Sequence, residues 1–208
     1  MQEFKEFPKI ARFSREVVVT EKIDGTNACI FISEDGGEFL TGSRTRWITP
    51  ENDNYGFSRW AYERKLDLME LGPGLHFGEW WGSGCQRGYG LPKGEKRFSM
   101  FNVIRWCLHG TEPQQIPCGD PRIVKMQDDL PACVGLVPIL WRGNFDDLDL
   151  ARIMDDLTTG GSKAAPGFMD PEGVVIFHLA GCVGFKKTIN KDDEPKGKPK
   201  KAWTGDRG

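Results

Sequence analysis

Short Val- and Ile-rich runs alternate along this chain with polar, glycine-bearing stretches. REVVVT (15–20) and ACIFISE (28–34) read as strands, EDGG (34–37) is a turn signal, and EFLTGS (38–43) returns as a hairpin partner. Residues 44–55 are polar and carry Pro50, which predicts a loop. From Gly56 to Leu71 the apolar positions Phe57, Trp60, Ala61, Leu68 and Leu71 fall near helical spacing, with Asp53 or Asn54 as cap and Gly72-Pro73 as stop. LHFGEWW (75–81) and RFSMFNVIRW (97–106) return to strand character around a Gly-rich connector, while 107–131 show no usable pattern. VGLVPIL (134–140) predicts a strand whose Pro138 belongs at an edge or a bulge. Asn144 is placed to cap a helix over Phe145–Leu157, ended by Gly160-Gly161. GVVIFHL (173–179), a turn at Ala180-Gly181 and CVGFKKTI (182–189) form a last hairpin. The sum is an α+β domain over residues 1–189, built of antiparallel sheets flanked by helices. A lysine-rich, apolar-poor tail over 190–208 is expected to be solvated.

Composition narrows this only a little. The 208 residues leave room for one sizeable core. A formal charge of −2 excludes a globally basic nucleic-acid binder, so any such binding must be local. The N-terminal MQEFKEFPKIARF has no apolar leader region, and no apolar run approaches membrane-spanning length. The six cysteines have no C-x-x-C pair and the three histidines no ligand spacing, which argues against a zinc centre. Scattered thiols suit a reducing, cytoplasmic setting, and no membrane contact is expected.

Lys22 is the position where chemistry enters. In EKIDGTNACIF (21–31) one lysine stands between an acid and a run of turn formers that leads into an apolar strand. Alone, K-x-D-G is short enough to arise by chance, and a solvated surface lysine is the ordinary reading. A series of ordered motifs downstream changes the weight. Lys22-Ile-Asp24-Gly25-Thr-Asn27 precedes Ser43-Arg44, Phe77-Gly78-Glu79-Trp80, Phe98-Ser-Met-Phe101, Glu172-Gly173-Val174-Val175 and Phe185-Lys186-Lys187.

This series resembles motifs I, Ia, III, IIIa, IV and V of the covalent nucleotidyltransferases, the DNA ligases, RNA ligases and mRNA capping enzymes. It runs across roughly residues 20–190. Asn27, where DNA ligases and capping enzymes usually carry arginine, points to the RNA-ligase-2-like branch. The resemblance implies the nucleotidyltransferase fold, which is unrelated to ATP-grasp, and an ATP-dependent polynucleotide ligase, here an RNA ligase. The alternatives are a minimal DNA ligase, a GTP-using capping guanylyltransferase, or a non-catalytic binder of nucleotides or RNA ends.

The resemblance also implies roles. Lys22 attacks the α-phosphorus of ATP and becomes lysyl-AMP, AMP passes to a 5′-phosphate, and a 3′-hydroxyl displaces it. Lys186 and Lys187 supply positive charge that lowers the nucleophile's pKa from the ordinary ammonium value of about 10.4 and neutralises the triphosphate. Glu172 is the expected ligand of Mg2+, a hard cation that takes carboxylate oxygens. Glu79 is matched to the ribose or the metal's water shell, Arg44 to a phosphate or ribose contact, Phe98 to the ring under adenine, and Glu21 to the adenine edge. Asp24, Gly25 and Asn27 complete the nucleotide-binding set. Structural readings compete: Glu79 and Glu172 as ion pairs, Phe98 and Phe101 as core, and Arg46 in place of Arg44. The family's two motif V lysines are normally separated by one residue, whereas here they are adjacent. The expected partners are RNA or nicked duplexes with 5′-phosphate and 3′-hydroxyl ends. Because the chain closes soon after motif V, a stand-alone domain is expected, with a partner protein supplying any missing C-terminal domain.

Overall fold

The computed structural model describes residues 10–103, 106–107, 125–126 and 130–190. The expected tail beyond Asn190 and most of the patternless 107–131 stretch lie outside the described residues, as do Ile104 and Arg105 of the expected 97–106 strand. The strands are β1 (Glu16–Lys22), β2 (Thr26–Ile32), β3 (Phe39–Ser43), β4 (Trp47–Ile48), β5 (Gly74–Gly82), β6 (Lys96–Met100), β7 (Trp106–Cys107), β8 (Lys125–Met126), β9 (Val134–Leu136), β10 (Ile139–Asn144), β11 (Gly173–His178) and β12 (Val183–Thr188). The helices are α1 (Phe57–Glu63), α2 (Lys65–Met69) and α3 (Leu150–Gly160).

Two larger sheets carry the fold. One is six-stranded, in the order β4-β3-β2-β5-β6-β9, and the other four-stranded, β10-β1-β11-β12; β7 and β8 form a separate parallel pair. Pairing in the two larger sheets is antiparallel except where β9 joins β6. The period-2 alternation of the strands sorts their side chains into three apolar clusters. Ile30, Ile32, Phe39, Trp80, Phe98 and Met100 on one face of the larger sheet pack against Phe57, Ala61, Leu68 and Leu71 of the α1–α2 region. Val17, Val19, Val174 and Ile176 pack against Ile153 and Leu157 of α3. Val18, Ile23, Trp81, Tyr89, Val137 and Leu179 fill the contact between the two sheets. Helices thus cover the outer faces, and the inner faces converge on β1.

Several expectations shift. The helix expected over 56–71 breaks at Arg64 (φ −114°, ψ 19°) into α1 and α2. Asp53 does close its first turn, its two carboxylate oxygens accepting from the N–H groups of Ser58 (2.8 Å) and Arg59 (3.0 Å). The helix expected from Phe145 begins instead at Leu150, because Asp149 is the residue that accepts from a first-turn amide, that of Arg152 at 3.0 Å. Asn144 caps only a 3-10 turn, Phe145–Asp147. The single strand expected over 134–140 is two strands in different sheets, with Pro138 at the crossing. Having no N–H, Pro138 contributes only its carbonyl, which accepts from Glu21 N at 2.9 Å, beside a register shift between Val19 and Thr20. Cys29, Cys85 and Cys133 are free, as expected, but Cys182 is disulfide-bonded.

Candidate active site

Lys22 ends β1, where the chain leaves the four-stranded sheet and turns into the six-stranded one as β2. The turn is tight against β5: a Cβ on Gly25 would lie 2.4 Å from the Trp80 carbonyl oxygen and 2.7 Å from Trp81 Cβ. Glycine at this position is therefore a packing requirement, since any side chain would push the turn off the sheet. The close approach lets the Gly25 N–H donate to Glu79 Oε1 at 2.9 Å, while Asn27 Nδ2 donates to Glu79 Oε2 at 3.0 Å. The lysine turn is thus tied to β5 through a carboxylate that is only 8% exposed.

The nucleophile candidate is ion-paired. Lys22 Nζ lies 2.5 Å from Glu172 Oε2, and Glu172 is 1% exposed. Glu172 precedes Gly173, which sits opposite Lys22 in the ladder and adopts φ 152° with its missing Cβ 2.1 Å from the Lys187 carbonyl. Two buried carboxylates therefore face one lysine. Burial pushes the Glu79 carboxyl up to about 7; the Gly25 N–H, Lys22 and Asn27 pull it down, and the charge of Glu172 pushes the same way as burial. This excess of buried negative charge and hard oxygen suits a divalent cation. Among the described residues no three acidic, His or Cys side chains gather as a metal cage. Such an ion would then be shared between Glu172, Glu79, water and substrate phosphates, the usual arrangement for Mg2+.

Register separates the two motif V lysines. Thr20, Val175 and Lys186 lie opposite one another across β1, β11 and β12, as do Glu21, Val174 and Lys187. Opposed residues share a face, and Lys22 shares the face of Thr20 two residues earlier. Lys186 is therefore on the face of Lys22, exposed, whereas Lys187 is half-buried on the face that α3 covers.

Two of the expected nucleotide contacts do not fit their positions. Phe98 is 1% exposed and packs in the outer apolar cluster, its ring centroid 5.1 Å from that of Phe57 and 6.1 Å from that of Trp60. It stands opposite Trp80, on the face of the sheet away from Glu79. Phe77 and Phe101 lie on the face of Glu79, linked by a 2.9 Å hydrogen bond from Phe101 N to Phe77 O and both exposed, whereas Trp81 on that face is buried. Glu21 is likewise turned away from Lys22, as adjacent strand residues must be. Ser162 Oγ (2.6 Å), Lys163 N (2.7 Å) and Ala164 N (2.9 Å) donate to its carboxylate. That buried acid fastens the loop after α3 to β1 and is not directed at a base. Arg44 leaves β3 at an exposed position just past Ser43, which pairs with Ala28 beside Asn27.

Asp24 is held by residues the motif reading passed over. Arg87 Nε lies 3.1 Å from Asp24 Oδ2, and Arg87 Nη1 reaches Asp170 Oδ2 at 2.7 Å and the Asp170 carbonyl at 2.9 Å. Tyr89 Oη accepts from Asp24 N at 2.8 Å. One guanidinium thus bridges the Lys22 turn to the segment that leads into Glu172. Both residues come from the Gly-rich connector, where Gln86, Gly88, Tyr89 and Gly90 all adopt positive φ.

Comparison with known proteins identifies the family and the fold. A sequence model described as RNA ligase matches residues 15–191. The chain belongs to the RNA ligase family. A Naegleria gruberi RNA ligase variant solved with ATP and Mn aligns at 21% identity with a TM-score of 0.55, over 83% of this chain and 48% of that one. An archaeal ATP-dependent RNA ligase aligns at 19% identity and a TM-score of 0.53, over 88% of this chain and 48% of the other. This family member therefore spans about half the length of the solved proteins it matches, which at these identities speak for its fold. No curated protein matches the sequence.

Proposed function

We propose that the chain is the adenylylating unit of an ATP-dependent RNA ligase. The observation that carries this reading is the pairing of Lys22 with the buried Glu172, beside Glu79 clamped onto the Lys22 turn. Lys22 Nζ attacks the α-phosphorus of ATP, a P–N bond forms, and pyrophosphate leaves. The attack needs a neutral amine, and Glu172 is the carboxylate in contact with the proton that must be lost. A Mg2+ held by Glu172 and Glu79 would draw charge from the phosphates as the bond breaks. Lys186, on the face of Lys22, meets the phosphates, while Lys187 supports the β11–β12 ladder. The ribose lies against Glu79 and Asn27, with Arg44 at its rim. The adenine lies beyond them against Phe77 and Phe101, which take the stacking role expected of Phe98. AMP then passes from Lys22 to the 5′-phosphate of the strand, and a 3′-hydroxyl displaces it to close the phosphodiester.

The test is joining of a 5′-phosphorylated RNA to a 3′-hydroxyl end with ATP and Mg2+, beside the same ends in DNA and the same reaction with GTP. RNA joining that needs ATP supports the reading. Joining restricted to DNA moves the chain to the DNA-ligase alternative, and labelling by GTP in preference to ATP moves it to the capping-enzyme alternative. Lys186→Ala should remove more adenylylation than Lys187→Ala; the reverse order would refute the assignment of the two lysines.

A further inference from the structure

The inner face of the six-stranded sheet continues past Glu79, away from Lys22. Asn27, Cys29 and Phe31 on β2 stand opposite Glu79, Phe77 and Leu75 on β5. Further out, Gly42 of β3 stands opposite both Cys29 and Trp47 of β4. Gly42 makes room for the Trp47 ring: a Cβ there would meet Trp47 Cε3 at 3.2 Å and Cys29 Sγ at 2.6 Å. The indole therefore lies over the backbone of β3, with the Phe31 ring centroid 6.2 Å away at an interplanar angle of 54°. Trp47 is 52% exposed. The indole N–H groups of Trp80 and Trp81 donate to Tyr55 O and Ser99 Oγ, whereas that of Trp47 has no partner among the described residues. On the opposite face of these strands the apolar residues are closed over by the α1–α2 region.

The charge beside these rings is positive. Arg44 and Arg46, on the β3–β4 turn that carries Trp47, are exposed and have no ion-pair partner among the described residues. A flat ring on an open sheet, next in sequence to a turn that carries two exposed arginines, complements a base with its phosphate. Two strand spacings, about 10 Å, separate the strand under Trp47 from that of Phe77. The Trp47 ring is therefore apart from the site assigned to adenine, with Phe31, diagonal to Phe77 across β2 and β5, between the two. With a net charge of −2 the chain has no general attraction for polyanions, so affinity must come from such local contacts.

From these observations we infer that Trp47 and Phe31 form a stacking platform for an unpaired nucleobase of the RNA being joined, with Arg46 on its phosphate. This rests on the RNA ligase reading and adds where the strand lies. The experiment titrates a short single-stranded, 5′-phosphorylated RNA with the full chain by fluorescence anisotropy, and compares Trp47→Ala, Trp47→Phe, Arg46→Ala and, as a control, Leu66→Ala at another exposed apolar position. Trp47→Ala should weaken binding roughly ten-fold, the size of one base–aromatic stack, and Trp47→Phe should retain most of the affinity. Arg46→Ala should lower the slope of log affinity against log salt by about 1. Neither change should alter AMP labelling from ATP, and neither Trp47 variant should change binding to the same RNA fully paired. Unchanged single-strand binding by Trp47→Ala overturns the inference, as does an equal loss on duplex. Loss of self-association in sedimentation, with RNA binding intact, also overturns it and makes the face a contact between copies. If the wild type binds RNA through Trp47 but takes no label from ATP, the platform stands and the ligase reading falls.

Discussion

Glu79 offers a pH-dependent test of the site as a folded object, independent of any substrate. Its carboxyl is pushed from the ordinary 4.5 to about 7, chiefly by burial. The folded protein therefore binds that proton more tightly than the unfolded chain does. The stability this proton contributes is complete below about 4.5 and is lost as the pH rises through about 7. At 1.36 kcal/mol per pKa unit the full swing is about 3 kcal/mol. Glu79→Gln removes the titration and keeps the shape, because Gln Oε1 still accepts from Gly25 N and the Asn27 amide can rotate to face the new NH2. Urea denaturation of both proteins at half-unit intervals from pH 4.5 to 8.5 isolates the effect, since every other titrating group is common to the pair. The variant should gain about 3 kcal/mol on the wild type across that range, with most of the change between pH 5 and 7.5. A constant difference would show that Glu79 ionises normally and that the excess buried charge is not real.

Arg87→Ala should cost about 2 kcal/mol in the same unfolding assay, because it removes the charged hydrogen bond to the half-buried Asp24. Asp170→Ala, at the exposed arm of the bridge, should cost under about 1 kcal/mol; equal costs would refute the bridging role. Arg87→Ala should also slow adenylylation more than it raises the KM for ATP, read from initial labelling rates. Phe98→Ala should destabilise the fold by about 3–5 kcal/mol. Phe101→Ala should leave the unfolding midpoint near that of the wild type and raise the KM for ATP; the opposite pattern would return the adenine to Phe98.

The parts of the site that the sequence exposes are those written into short, ordered motifs. Lys22, Gly25, Asn27 and Glu172 are legible because each stands in or beside a turn or strand end that its neighbours advertise, and Glu79, inside β5, through the Phe-Gly-Glu-Trp run that carries it. The turn at Gly25 and the strand start at Gly173 are such cases. The residues that escape such a reading depend on register. Phe98 and Phe101 fall on opposite faces, and only the opposition of Glu79 to Ser99 tells which face looks toward Lys22. Glu21 is open to better reading, since period-2 alternation puts it behind the sheet once Lys22 is placed in front. Arg87 and Tyr89 are hidden in a Gly-rich loop without periodicity, and the one clue is that a half-buried Asp24 needs a partner. In the fold, Pro138 marks an irregularity correctly, but nothing local says that the chain changes sheets there.

The decisive measurement is intact-mass and peptide-level mass spectrometry of the chain after incubation with ATP and Mg2+. One AMP should be added, carried by the peptide that contains Lys22 as an acid-labile, alkali-stable phosphoramidate. Lys22→Ala should stay folded and gain nothing. AMP on any other residue, or an unchanged yield in Lys22→Ala, would contradict the assignment of Lys22 as the nucleophile.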